Sequence, residues 1–191
     1  MTPAVFLDRD GVLCRTHVVD GKSYAVRRLE DFRLFPGTAA AVETLRAAGY
    51  RIVVVTNQPD IGNGLVDRAV VDAMHVRLRE RLAPDAIEIC PHRQDEDCSC
   101  RKPKPGMILS ASQRLGINLS ASAMIGDRWS DIVAGREAGC YTVLVNRGYG
   151  EHLRAAPDCT VKTLPAAVDA ILRWRATDAT NGINRGSHAN G

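Results

Sequence analysis

Short apolar runs alternate with amphipathic stretches along this chain, and that alternation limits the folds open to it. AVFLD (4–8), YRIVVVTN (50–57), IEIC (87–90), SAMIGD (122–127) and CYTVLVN (140–146) read as strands. Between and after them, residues 38–48, 67–82, 106–116, 130–139 and 164–176 carry apolar positions at helical spacing. Gly49 stands where a C-cap belongs, and Asp67 where an N-cap does. The β-branched core of YRIVVVTN suits a strand covered on both faces. Strand–helix alternation of this kind predicts an α/β fold, a doubly wound parallel sheet of Rossmann-like type. Ligands of such sheets bind at the carboxyl ends of the strands.

The chain has 191 residues, enough for one domain over 1–176. Residues 177–191 are polar and aperiodic and read as a disordered tail in which His188 has no role. A net charge of +3 is too mild to argue for nucleic acid as a partner. The sequence has neither an apolar run of spanning length nor a signal-type N-terminus, so a cytoplasmic protein with no membrane partner is expected. Of its cysteines, Cys90, Cys98 and Cys100 cluster, while Cys14, Cys140 and Cys159 are scattered, a poor pattern for a disulfide framework. A monomer is expected.

Three strands end in reactive side chains. The first ends in Asp8, followed by Arg9, Asp10 and Gly11. The second ends in Thr56 and Asn57. The third ends in Asp127, with Asp131 one helical turn later. Taken singly, each has a plainer explanation: an Asp after a strand is most often a turn former or N-cap, and Lys102 a solvated charge. Parallel strands bring these ends to one edge, where converging carboxylates repel unless a cation joins them. Hard oxygen ligands suit Mg²⁺. Mg²⁺ with a hydroxyl and a lysine nearby is equipment for phosphoryl transfer.

The stretch CPHRQDEDCSCRKPKPG (90–106) has the spacing Cys-x-His-x5-Cys-x-Cys. Cys90, His92, Cys98 and Cys100 can close a tetrahedral Zn²⁺ site with no open position, which is structural and not catalytic. Such a zinc would pin the loop that delivers Arg101 and Lys102, with Pro103 and Pro105 stiffening its exit. A non-enzymatic zinc-containing binding protein is the competing class.

DRDGV (8–12), VVVTNQ (53–58), RKPKPG (101–106) and GDRWSD (126–131) resemble the four motifs of the haloacid dehalogenase superfamily of phosphatases. The cysteine cluster resembles that of a zinc-bearing group acting on heptose bisphosphates and on histidinol phosphate. The resemblance implies a Mg²⁺-dependent phosphatase working through an aspartyl-phosphate. Asp8 would be the nucleophile and Asp10 the proton carrier. Asp8, the Asp10 carbonyl and Asp127 would hold Mg²⁺. Thr56 and Lys102 would bind the phosphoryl group, and Asp131 would orient Lys102 or a metal-bound water. Arg101, Asn57 and Arg128 would meet a small sugar phosphate: a heptose bisphosphate first, histidinol phosphate second. Two features depart from the heptose enzymes: the stretch 14–32 differs, and Arg128 stands where they tend to carry Lys. The superfamily often inserts a large cap domain, but only about 30 residues separate Thr56 from the strand at 87, so none is expected.

Overall fold

The computed structural model describes the backbone of residues 1–186 and the side chains of 1–177. Strand β1 (Ala4–Leu7) leads into an exposed hairpin, β2 (His17–Val19) and β3 (Lys22–Tyr24). Then follow α1 (Thr38–Ala47), β4 (Arg51–Asn57), a single turn α2 (Pro59–Gly62), α3 (Arg68–Leu82) and β5 (Ala86–Cys90). The second half contains α4 (Gly106–Leu115), β6 (Ala123–Gly126), α5 (Trp129–Glu137), β7 (Tyr141–Val145), β8 (Cys159–Val161) and α6 (Leu164–Gly186). All five expected strands and the first four expected helices are present, their ends shifted by no more than two residues.

Six strands form one parallel sheet in the order β5-β4-β1-β6-β7-β8. The strand order reverses at β1, flanked by β4 and β6, and β1 carries Asp8 at its end. Side-chain alternation along β1 splits the core in two. Val5 and Leu7 join Val42 and Leu45 of α1, Met74 and Leu78 of α3 and Val168 and Ile171 of α6. Ala4 and Phe6 face the other way, onto Met107, Ile108 and Ala111 of α4, Ala134 of α5 and Ala138 at its C-cap. Both faces are covered, which explains why β1 and the centre of β4, residues 52–55, are apolar.

Three elements lay outside the sequence expectation. The β2–β3 hairpin turns through Asp20 and Gly21, both at positive φ as a two-residue hairpin loop needs. Its strands are three residues long and largely exposed, so no buried face imposes alternation. β8 is a three-residue edge strand, and α2 is one turn. The last helix, expected over 164–176, runs on to Gly186. The stretch read as a tail has no proline to stop it; its final residues, 187–191 with His188, lie outside the described ones. Between β4 and β5 stand only α2 and α3, and no large cap domain occurs among the described residues. No described helix is long and apolar enough to cross a membrane.

Phe6 is fully buried in the central strand. Phe6→Ala should cost about 3–5 kcal/mol in urea unfolding, whereas Val18→Ala on the exposed hairpin should change stability by less than about 0.5 kcal/mol.

Candidate active site

The carboxyl ends of β1, β4 and β6 bring Asp8, Thr56 and Asp127 together. Lys102 arrives from the loop before α4. Its ammonium lies 2.7 Å from Asp8 Oδ1, 2.7 Å from Asp131 Oδ1 and 2.7 Å from the Val55 carbonyl. Lys102, Asp8, Asp127 and Asp131 are all buried. Burial works against the Lys102 charge, but Asp131 and Asp8 outweigh it and raise its pKa above the ordinary lysine value. Burial pushes Asp8 up to about 7; Lys102 opposes this and Asp131 and Asp10 add to it. Burial also raises Asp127 well above the carboxylate range, helped by Asp8 and Asp131.

Both Asp127 carboxylate oxygens are buried without a close hydrogen bond, and the Tyr149 hydroxyl only partly offsets the rise in pKa. Oxygens of Asp8, Asp127 and Asp131 lie within 4.8 Å of one another. An orphaned buried carboxylate beside two others is a costly arrangement that a divalent cation relieves, and an all-oxygen set fits Mg²⁺. Gly11 makes the crowding possible. Its φ is +86°, and a Cβ there would stand 1.8 Å from Asp127 Oδ2.

Asp10 faces a different set of partners. Arg9 Nε and Nη2 donate to its carboxylate, Nη2 at 2.8 Å to Oδ2, and Gln58 Nε2 donates to the same oxygen at 2.6 Å. Gln58 also donates to Thr56 Oγ1 at 2.9 Å, which ties Asp10 to the end of β4. Asn57, expected at the substrate, lines the cavity, but its side-chain amide engages the Lys102 backbone. Nδ2 donates to the Lys102 carbonyl at 2.9 Å and Oδ1 accepts from its N–H at 3.1 Å.

A cavity of about 750 Å³ opens above these groups. The hairpin, the α2 turn, the loop at 101–103, the start of α5 and residues 149–151 form its walls. Arg101 lines it, with Nη1 buried and unpartnered. Arg128 lines it too, paired with Glu151. Asp131 accepts from the Arg128 N–H at 3.0 Å, so the first turn of α5 holds it in place. Sequence reasoning missed the 147–151 segment. There Arg147 Nε donates to the Gly11 carbonyl at 2.7 Å, and Tyr149 stands 3.5 Å from Thr16 Oγ1. Arg9 and Gln58, also missed, adjoin motif residues, and that adjacency was their available signal.

The four expected zinc ligands converge. Cys90 Sγ is 3.6 Å from Cys98 Sγ, which is 3.7 Å from Cys100 Sγ; His92 Nδ1 is 3.5 Å from Cys90 Sγ and 3.2 Å from Cys100 Sγ. Metal–sulfur bonds of about 2.3 Å at tetrahedral angles place sulfurs roughly 3.7 Å apart, so this donor set could hold Zn²⁺. The loop packs against its surroundings at two glycines. A Cβ on Gly106 would meet the Ser99 carbonyl oxygen at 2.2 Å, and one on Gly62 the Pro91 carbonyl oxygen at 2.7 Å. The cluster therefore sits between α2 and the Lys102 turn.

Residues 99–167 match the HAD-hydrolase-like family. The D-glycero-beta-D-manno-heptose-1,7-bisphosphate 7-phosphatase of Pseudomonas aeruginosa is 38% identical over 158 residues, covering 80% of this chain and 86% of that protein. The D-glycero-alpha-D-manno-heptose-1,7-bisphosphate 7-phosphatase of Mycobacterium bovis is 38% identical over 152 residues, 74% and 78% of the two chains. Among solved structures, the D,D-heptose 1,7-bisphosphate phosphatase of B. bronchiseptica, complexed with magnesium and phosphate, superposes with a TM-score of 0.77 at 31% identity, covering 90% of this chain and 99% of that one. The chain belongs to the haloacid-dehalogenase-like hydrolases, within the phosphatases of that family.

His75, on α3, is buried beside Arg9. Burial lowers its pKa to about 4, and the charges of Arg9 and Arg79 add to the effect. Unfolded, it titrates near about 6.5. The unfolded chain binds more protons between these values, so the His75 contribution to stability is fully present above about pH 6.5 and is lost as pH falls towards 4. His75→Leu should flatten that part of the acid limb, read as the urea midpoint against pH.

Proposed function

We propose that this chain is a Mg²⁺-dependent phosphatase that removes the 7-phosphate of a D-glycero-D-manno-heptose 1,7-bisphosphate through an aspartyl-phosphate. The observation that carries it is the pair of orphaned Asp127 oxygens beside Asp8, with Lys102 between Asp8 and Asp131. The names of its relatives support the substrate.

Asp8 attacks phosphorus. Lys102 and Thr56 bind the phosphoryl oxygens, and Asp131 holds Lys102 at 2.7 Å so that its charge is delivered without reorganisation. Asp8, Asp127 and the Asp10 backbone carbonyl would hold Mg²⁺, which would supply charge neutralisation for the transferring group. Asp10, two residues from the nucleophile and outside the Lys102 cluster, protonates the leaving sugar oxygen. It then takes a proton from the water that hydrolyses the aspartyl-phosphate. Arg101, with an unpartnered Nη1, binds the rest of the substrate, and Arg128 assists once Glu151 releases it. Asn57 holds the Lys102 backbone. Zinc on Cys90, His92, Cys98 and Cys100 is structural and keeps Arg101 and Lys102 in register. Six unpaired thiols suit a reducing cytoplasm.

A phosphate-release screen over both anomers of the heptose bisphosphate and over histidinol phosphate tests the substrate, with ³¹P NMR locating the phosphate lost. Faster release from histidinol phosphate, or loss of the 1-phosphate, would overturn the reading. Asp8→Asn should reduce turnover by about a thousandfold or more while leaving the fold intact. Metal analysis should find about one zinc per chain, retained when magnesium is dialysed away and activity is lost.

A further inference from the structure

Among the described residues, the most deeply buried charge belongs to none of the motif roles above. Arg9 is 0% exposed, enclosed by core residues on the α1/α3 side of the sheet. Its guanidinium lies 5.8 Å above the Phe32 ring. Two of its nitrogens donate to Asp10, and the third, Nη1, lies 3.2 Å from His75 Nε2. Arginine has no acceptor, so His75 must present the bare Nε2 lone pair and carry its proton on Nδ1. His75 is therefore a neutral acceptor, and every arm of the guanidinium is engaged. Burial opposes the Arg9 charge, but Asp10 outweighs it, and Arg9 stays cationic.

A lysine or a large apolar residue could fill this volume. The guanidinium adds a planar fork that sets both position and tilt of one carboxylate, since its nitrogens lie within 3.1 Å of both Asp10 oxygens. A proton carrier needs such control, because transfer falls off steeply when donor and acceptor are misplaced.

We propose that Arg9, seated by His75, is a positioning residue that aims the Asp10 carboxyl at the leaving-group oxygen. The inference rests on the reading of Asp10 as proton carrier. It assigns α3, a helix remote from the phosphoryl-binding groups, a part in protonating the leaving group.

The test is leaving-group dependence. The quantity kcat/KM reports formation of the aspartyl-phosphate, the step in which Asp10 gives up its proton. A sugar alkoxide needs that proton, whereas p-nitrophenolate leaves without it. Arg9→Lys and His75→Leu should lower kcat/KM on heptose 1,7-bisphosphate by about tenfold or more beyond any loss on p-nitrophenyl phosphate. The Ki of inorganic phosphate should not change. His75→Gln, whose amide oxygen restores an acceptor, should recover most of the selective loss. Damage to the fold would reduce both substrates in proportion, so equal losses in Arg9→Lys and His75→Leu would overturn the proposal. Asp10→Asn separates the two levels. If it loses the alkyl substrate selectively while the Arg9 and His75 variants do not, Asp10 keeps its role and the positioning inference fails. If Asp10→Asn shows no selectivity, the reading of Asp10 itself fails.

Discussion

One buried ammonium governs the site. Lys102 sits between Asp8 and Asp131 at 2.7 Å from each, on the carboxyl edge of a sheet covered on both faces. Buried charges are costly unless each has a partner, and this triad carries one more negative charge than positive before Asp127 is counted. With Asp127 ionised the excess is two, and burial opposes that state unless a cation supports it. Two surplus negative charges match one divalent cation, and in the proposed function that cation and Lys102 would together draw in a phosphoryl group. Affinity for metal and affinity for phosphate follow from one charge imbalance.

Much of the surrounding structure keeps Lys102 where it is. Asn57, at the end of β4, clamps its backbone N–H and carbonyl; the Val55 carbonyl, on the same strand, accepts from its Nζ. Gly106 lets the following turn close against Ser99, between Cys98 and Cys100 of the cysteine cluster. The cysteine cluster then joins this turn to α2, where Gly62 packs under Pro91. Thiolates with imidazole a few residues from an all-oxygen set would also separate two metals by chemistry alone, the first suiting zinc and the second magnesium.

The sequence made the sheet and the site legible to different degrees. Both faces of β1 and of the centre of β4 are buried, so AVFL and IVVV appear as unbroken apolar runs, and the reactive residues follow those runs directly. A parallel sheet brings such ends to one edge, which is why Asp8, Thr56 and Asp127 could be placed together from order alone. The hairpin at 17–24 was illegible because neither of its faces is buried enough to impose a period. Arg147 and Tyr149 were missed for another reason: they follow a strand with no acid at its end, and only tertiary closure brings Arg147 to Gly11. His75 lies on the buried face of α3 with Val71 and Leu78, a face on which a histidine has no distinguishing signal in sequence. Its meaning comes from Arg9, 66 residues away. Asn57 shows the limit in reverse. Its place at a strand end was legible, but the partner it chose was not.

Asp8 and Asp10 are two residues apart and live in opposite environments. Asp8 faces an ammonium that it shares with Asp131, beside a third carboxylate. Asp10 turns to Arg9 and Gln58, on the side of α3. Gly11, at a φ that side chains rarely adopt, turns the chain sharply after them. The turn is held from outside by Arg147, stacked 4.1 Å from the Phe35 ring. Two chemically identical groups can take different parts in a reaction only if their surroundings differ, and here the difference is built by two cations of unlike shape. The compact ammonium of Lys102 can be shared between a carboxylate and an incoming phosphoryl oxygen. The planar guanidinium of Arg9, its third arm fixed to His75, can only hold one carboxylate at one angle. The division of labour proposed for Asp8 and Asp10 would thus already be present in the choice of Lys at one and Arg at the other.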